Sequence, residues 1–230
     1  MSTEVITKER PILFSGPMVW AILDGRKTVT RRLWKMPPGC IWHVDGNAKG
    51  EATGSICDSD SPWWGSVDEI ACPHGSLGDR LWVRESLRGV RDTKFNDGEL
   101  MPVCSYAADG THIWSTTEGH REPWTWKRST LPSIHMPRWA CRIVLEIVSV
   151  RVERLQEITE EDAAKEGMHE FKLPTGSVFG YDRNGTPGKD VCTSAAGAFA
   201  TLWTKLNGRD SWHANPWVWR IEFKRINNFS

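Results

Sequence analysis

Between Trp139 and Glu153 the chain is apolar in both phases of an extended backbone: Cys141, Ile143, Leu145 and Ile147 form one face, and Val144, Val148 and Val150 form part of the other. A strand with water on one side alternates apolar with polar residues, whereas one that is apolar on both sides must be covered on both. This segment is therefore predicted as the central strand of a barrel. Every other element has to be arranged around it.

The periodicity of the rest of the chain supplies those elements. A closing strand is predicted from Trp217 to Lys224, where Trp217, Trp219, Ile221 and Phe223 alternate with Val218, Arg220, Glu222 and Lys224. Gly78-Asp79 turns into a strand over 80–85 that buries one face through Leu81 and Val83. Ser15-Gly16-Pro17 opens a short helix with Met18, Val19, Ile22 and Leu23 at helical spacing, and Gly25 stands where a left-handed cap is needed. The β-branched Thr28, Val29 and Thr30 favour a strand over 28–33, which puts the segment Gly25 to Arg32 on a helix-to-strand junction. Junctions present side chains to ligands.

A second helix is marked by Thr159 as its cap, with Asp162 reaching back as in a capping box, Ile158 stapling against Ala163, and Glu160 and Glu161 at the positive end of the dipole. Gly167 ends it after about two turns and leaves Glu166 in the last one. Phe199, Leu202 and Trp203 predict a third helix over 193–206. Three stretches lack a sustained period. Residues 36–78 read as an inserted excursion, residues 86–137 as irregular apart from short strands near 103–107 and 112–115, and residues 169–192 as a Gly-rich loop. The expected fold class is α+β, a mostly antiparallel barrel with a few short helices. The 230 residues read as a single domain with insertions at about 35–77, 86–137 and 169–192.

Composition narrows the function. The 29 basic residues balance the 29 acidic ones, so no global positive field draws long nucleic acid to every surface, and any such contact must be local. No leader-like segment and no apolar run near the roughly 20 residues that span a bilayer is present, so no membrane partner is expected. Six dilute cysteines fit reduced thiols in a cytoplasm better than a disulfide scaffold. Cys40, His43, Cys57, Cys72 and His74 put soft ligands in one insertion, but their spacing fits no common zinc module, and neither a metal nor another cofactor is expected. Of the fourteen tryptophans, Trp63, Trp64, Trp124, Trp126 and Trp212 lie in loop-like stretches where an indole could stack on a base, while Trp82, Trp217 and Trp219 read as packing.

Lys27, Thr30 and Glu166 are the candidate catalytic residues. A lysine serves as a base only when desolvation or neighbouring positive charge lowers its pKa, and Arg26, Arg31 and Arg32 supply such charge. A threonine hydroxyl at the start of a strand is a nucleophile held in few rotamers, and it needs a base within reach. At a helix C-terminus the dipole favours the protonated form of Glu166 by about 0.3–1 kcal/mol, which suits proton delivery. Spacing alone equally describes a solvated basic turn and a surface carboxylate.

The stretch Gly25-x-Lys27-x-x-Thr30-x-Arg32 resembles the signature of ASCH domains, a branch of the PUA-like barrels usually written Gly-x-Lys-x-x-Glu-x-Arg. Thr30 replaces the glutamate, as in the small bacterial ASCH enzymes that hydrolyse N4-acetylcytidine with a Lys, Thr and Glu set. Glu166-Gly167-Met168 after Thr159-Glu160 is similar to the segment that carries their glutamate. The resemblance extends to Gly78-Asp79-x-Leu81, to 142–152 and to the last strand, and leaves about half the chain, which is similar to longer phage and prophage ASCH-like proteins, without a counterpart in the compact enzymes. It implies an amidohydrolase that removes an acyl group from the exocyclic N4 of a cytosine derivative, with Lys27, Thr30 and Glu166 catalytic and Arg26, Arg31, Arg32 and Ser15 binding substrate. A noncatalytic reader of RNA or of a modified nucleobase is the alternative, and a phage accessory protein that binds a host protein is a third.

Overall fold

In the computed structural model, residues 7–35, 40–46, 52–58, 61–66, 72–89, 102–114, 127–181 and 188–226 are described, with 40–66, 102, 103 and 114 described by backbone alone. In chain order the elements begin with β1 (Glu9–Leu13), α1 (Gly16–Leu23) and β2 (Val29–Leu33). Three strands follow, β3 (Cys40–Gly46), β4 (Ala52–Asp58) and β5 (Ser61–Ser66). Next come β6 (Arg80–Arg84), β7 (Leu87–Gly89), β8 (Pro102–Tyr106), β9 (His112–Trp114) and β10 (Thr130–Leu131). The C-terminal part holds β11 (Val144–Arg154), α2 (Glu160–Lys165), β12 (His169–Leu173), β13 (Gly176–Gly180), α3 (Ala195–Asn207) and β14 (Trp217–Ile226).

The chain is α+β, with few helices and mostly antiparallel sheets. Its main sheet has the order β1-β6-β11-β14-β2, and only the β1–β6 pair is parallel. As the two apolar faces require, β11 lies in the interior of this sheet, between β6 and β14. Ile143, Leu145 and Ile147 are fully buried in the main core with Leu81, Val83 and Ile221, while Val144 on the opposite face joins a second core with Leu87, Tyr106 and Met136. Each such side chain contributes about 1.5–3 kcal/mol by leaving water.

One part of the β11 pattern is corrected. The β11–β14 register slips between Ile147 and Ser149, and the bulge reverses which alternate residues face inward. Val150 and Val152 consequently pack on the main core, and Arg151 and Glu153 take the other face. The sheet is also not closed into a barrel. β1 and β2 are its outer strands, no backbone pairing joins them among the described residues, and the Arg32 guanidinium donates to the Leu13 carbonyl at 2.6 Å across the gap.

The short strands expected near 103–107 and 112–115 are β8 and β9, and the other segments expected to be irregular also contain strands. β3, β4 and β5 form an antiparallel three-stranded sheet, β10-β7-β8-β9 a four-stranded one, and β12-β13 a hairpin. Short strands of mixed polarity satisfy their backbone groups by pairing, a stabilisation that hydrophobic period does not report. Cys40, His43, Cys57, Trp63 and Trp64 fall where backbone alone is described, and Trp124 and Trp126 lie outside the described residues.

Candidate active site

The end of α2 is docked on the start of β2. Thr28 N–H donates to the Lys165 carbonyl at 2.9 Å, and Lys27 N–H to the Ala21 carbonyl at 2.9 Å. Gly167 makes this approach possible: its φ is +104°, and a Cβ there would lie 3.0 Å from the Ala21 Cβ and 3.5 Å from the Lys27 Cβ. An L side chain is disfavoured in that conformation, so glycine is needed for two independent reasons. Gly25, with φ +74°, makes the expected left-handed turn after α1.

Lys27 and Glu166, 139 positions apart in sequence, meet in this corner with 3% exposure each. The Lys27 Nζ donates to Glu166 Oε2 at 2.5 Å, to the Glu166 carbonyl at 2.8 Å and to the Val29 carbonyl at 2.7 Å. Burial lowers the Lys27 pKa from that of an ordinary lysine; Glu166 opposes the shift, and Arg32 and Arg31 reinforce it. The Nζ also lies 5.5 Å from the centre of the Phe14 ring, whose other cation is Arg32 at 5.2 Å.

A cavity of about 640 Å³ opens beside the pair, within the range of small-molecule sites. Lys27, Thr30, Arg31, Arg32, Glu166 and Ser15 all line it. Phe199, Leu202 and Trp203 of α3 form an apolar wall, and Glu85 lies on a further side. Thr30 is 4% exposed, and nothing among the described residues hydrogen-bonds its hydroxyl. Two buried donors on lining residues, Arg32 Nε and Trp203 Nε1, likewise have no acceptor among the described residues. Unsatisfied buried donors are uncommon in native proteins and are natural contacts for ligand oxygens.

The arginines divide into three environments. Arg26, expected to bind substrate, is not among the residues lining the cavity; it donates to the Gly167 carbonyl at 3.1 Å and to Asp24 at 3.1 Å. Arg32 stands at the cavity, its guanidinium pKa lowered by burial. Arg31 is fully enclosed among carboxylates: Nε donates to Glu153 at 2.7 Å, one Nη to Asp162 at 2.8 Å and the other to Glu166 at 3.3 Å. It lines the cavity, and each of its three nitrogens already meets a carboxylate of the protein.

Asp162 also differs from its expected role. Thr159 caps α2, its hydroxyl accepting from the Asp162 N–H at 3.1 Å, but the Asp162 carboxylate turns to the sheet instead of completing a capping box. There it accepts from Arg31 and, at 2.9 Å, from Arg220. Strand register explains the need. Arg31 is opposite Arg220 and Arg220 is opposite Arg151, three cations in a row across β2, β14 and β11, and like charges so placed repel. Asp162 and Glu153 neutralise that row. Burial acts against the Asp162 carboxylate, but the hydrogen bonds and charge of Arg220 and then Arg31 hold its pKa down at about 2.

Glu85, Glu153 and Arg220 were not among the residues anticipated for this region. Glu85 is 1% exposed and accepts from Nε and one Nη of Arg142 at 2.9 and 2.7 Å, the other Nη donating to Asp109 at 2.6 Å; burial raises the Glu85 carboxyl pKa while Arg142 opposes the change. Arg220 is one of several charged residues alternating along β14, so the sequence did not single it out. No group of three metal-ligating side chains occurs among the described residues. Burial pushes the Cys72 thiol up and His74 down. Trp212 meets Phe199 edge-on at 6.3 Å and packs against the main core instead of standing free as a stacking platform. No helix among the described residues is long and apolar enough to cross a membrane. No protein-family model, curated protein or solved structure matches the chain.

Proposed function

We propose that the cavity is the active site of an amidohydrolase that removes an acyl group from the exocyclic N4 of a cytosine derivative. The observation that carries this reading is the buried Lys27–Glu166 contact of 2.5 Å on the wall of a cavity that Thr30 also lines. With Lys27 neutral, its amine accepts the Thr30 proton as Oγ1 adds to the acyl carbonyl carbon. The C–N4 bond then breaks, and the proton passes from Lys27 through Glu166 to the leaving N4. Water adds to the acyl-threonine ester, the acid departs, and the proton that water gives up returns to Thr30 Oγ1. Arg32 Nε is the donor best suited to the carbonyl oxygen, because it is buried at the cavity without an acceptor. A PUA-like architecture belongs to the same proposal, with the Arg32 bridge to Leu13 spanning the one gap in the strand order.

The direct test is release of cytidine from N4-acetylcytidine. Wild type should turn it over, and Thr30→Ala should lose activity by at least about 1000-fold, as expected for a nucleophile; equal rates would remove the mechanism. A second reading, a noncatalytic site that grips a modified base or RNA, is favoured by one observation. Three oxygens surround the Lys27 amine, which is the arrangement of an ammonium and leaves no lone pair free. Binding of N4-acetylcytidine without turnover would support that reading, and salt-sensitive binding of RNA would identify a polymeric ligand.

A further inference from the structure

Resting on the reading of Lys27 as a base, we propose that Arg31 is the positioning residue of this site: it is the counter-ion that stays with Glu166 when the Lys27 amine gives up its proton. The two Glu166 oxygens are divided between two cations, Oε2 to Lys27 at 2.5 Å and Oε1 to Arg31 at 3.3 Å. If Lys27 were the sole partner, its deprotonation would strand a buried carboxylate, at a cost that keeps such pairs charged. Arg31 removes that obstacle, because a guanidinium keeps its charge at any working pH. It also adds a second positive charge beside the amine, which favours the neutral lysine.

The charges that face this group come from every element around it. β2 contributes Arg31 and Arg32 and the turn before it Lys27, while the first turn of α2 contributes Asp162 and its C-terminal cap Glu166. β11 contributes Arg151 and Glu153, and β14 contributes Arg220 with its partner Glu222. From α3 only the Phe199 ring meets Arg31, with the guanidinium 5.9 Å from its centre. Arg31 is therefore held from three sides: Glu153 and Asp162 fix it, and Glu166 receives its remaining arm. Rotating away would break the contacts to Glu153 and Asp162, so its position does not depend on whether Lys27 is charged. Lys27 has the opposite character, a single amine whose grip on the carboxylate varies with its proton.

The test needs no substrate, so its failure is distinguishable from failure of the hydrolase reading, which absence of turnover would report. Lysine side-chain nitrogens in the full chain are followed by NMR across pH, with Lys27 assigned by its loss in Lys27→Arg. The Lys27 midpoint should rise by about 1–3 pH units in Arg31→Met combined with Glu153→Gln, the second change removing a carboxylate that would otherwise be left short of a cation. Arg31→Lys, which restores a cation, should recover at least half of that rise. An unchanged midpoint in the folded double variant would overturn the proposal. Wild type supplies a reading that does not depend on any variant folding. The Arg31 Nη signals should shift with the same midpoint as Lys27 and remain slowly exchanging above it. Their loss to fast exchange above that midpoint would show that Arg31 leaves Glu166, and would overturn the proposal as well.

Discussion

Asp162→Asn tests whether the charged network beneath the cavity is a structural requirement of the sheet. The substitution nearly preserves shape and leaves the α2 cap intact, since the cap uses the Asp162 backbone N–H and the Thr159 hydroxyl. What it removes is the negative charge shared by Arg31 and Arg220, with Arg151 at 3.7 Å. Asp162 ionises at about 2 in the fold instead of at 3.8, and a difference of that size is worth about 2.5 kcal/mol. Breaking a buried pair by removing one partner costs about 3–5 kcal/mol. Arg31 retains Glu153 and Glu166, and Arg220 retains Glu222, so the lower figure of about 2.5 kcal/mol is expected at neutral pH. The sign follows from a folded pKa that is depressed: the stabilisation is complete above the unfolded value of 3.8 and fades as pH falls toward about 2. Urea unfolding followed by tryptophan fluorescence, with Trp203 and Trp219 buried as reporters, should show a gap between wild type and variant that is constant from about pH 7 to about pH 5 and narrows below about pH 4. A gap under about 0.5 kcal/mol at neutral pH, or one that does not narrow on acidification, would refute the reasoning.

Other substitutions probe separate parts of the molecule. Lys27→Met should abolish turnover and also destabilise the fold by about 2 kcal/mol or more in urea, because it leaves the buried Glu166 with Arg31 alone. Gly167→Ala should lower stability by about 1–3 kcal/mol in thermal unfolding, since its φ of +104° and the 3.0 Å approach to Ala21 both exclude a Cβ. Arg142→Met should cost about 3–5 kcal/mol at neutral pH by stranding the Glu85 carboxylate. That deficit should shrink on acidification as Glu85 takes up a proton, because its pKa is already raised by burial and would rise further without Arg142.

Local chemistry and periodicity determined a good deal from the sequence alone. The doubly apolar segment ending at Glu153 became an internal strand, Thr159 and Gly167 bound α2, Gly25 turned the chain after α1, and Phe199, Leu202 and Trp203 set the buried stripe of α3. These features depend on neighbours a few residues away, which a linear pattern contains. Lys27, Thr30 and Glu166 were selected by the resemblance of their motifs, with their local frames, a junction and a helix end, readable from the sequence. The tertiary structure alone decided what each charge faces. A bulge after Ile147 reversed the inward residues of β11, strand register set Arg31, Arg220 and Arg151 in one row, and Asp162 left its expected capping box to neutralise them. Arg31 and Arg26, alike as basic neighbours of Lys27, went to a buried carboxylate cluster and to the outer side of Gly167 respectively. The physical reason is that an ion pair is fixed by distance in space and by the desolvation around it, and both are set by strands and helices brought together from distant parts of the chain.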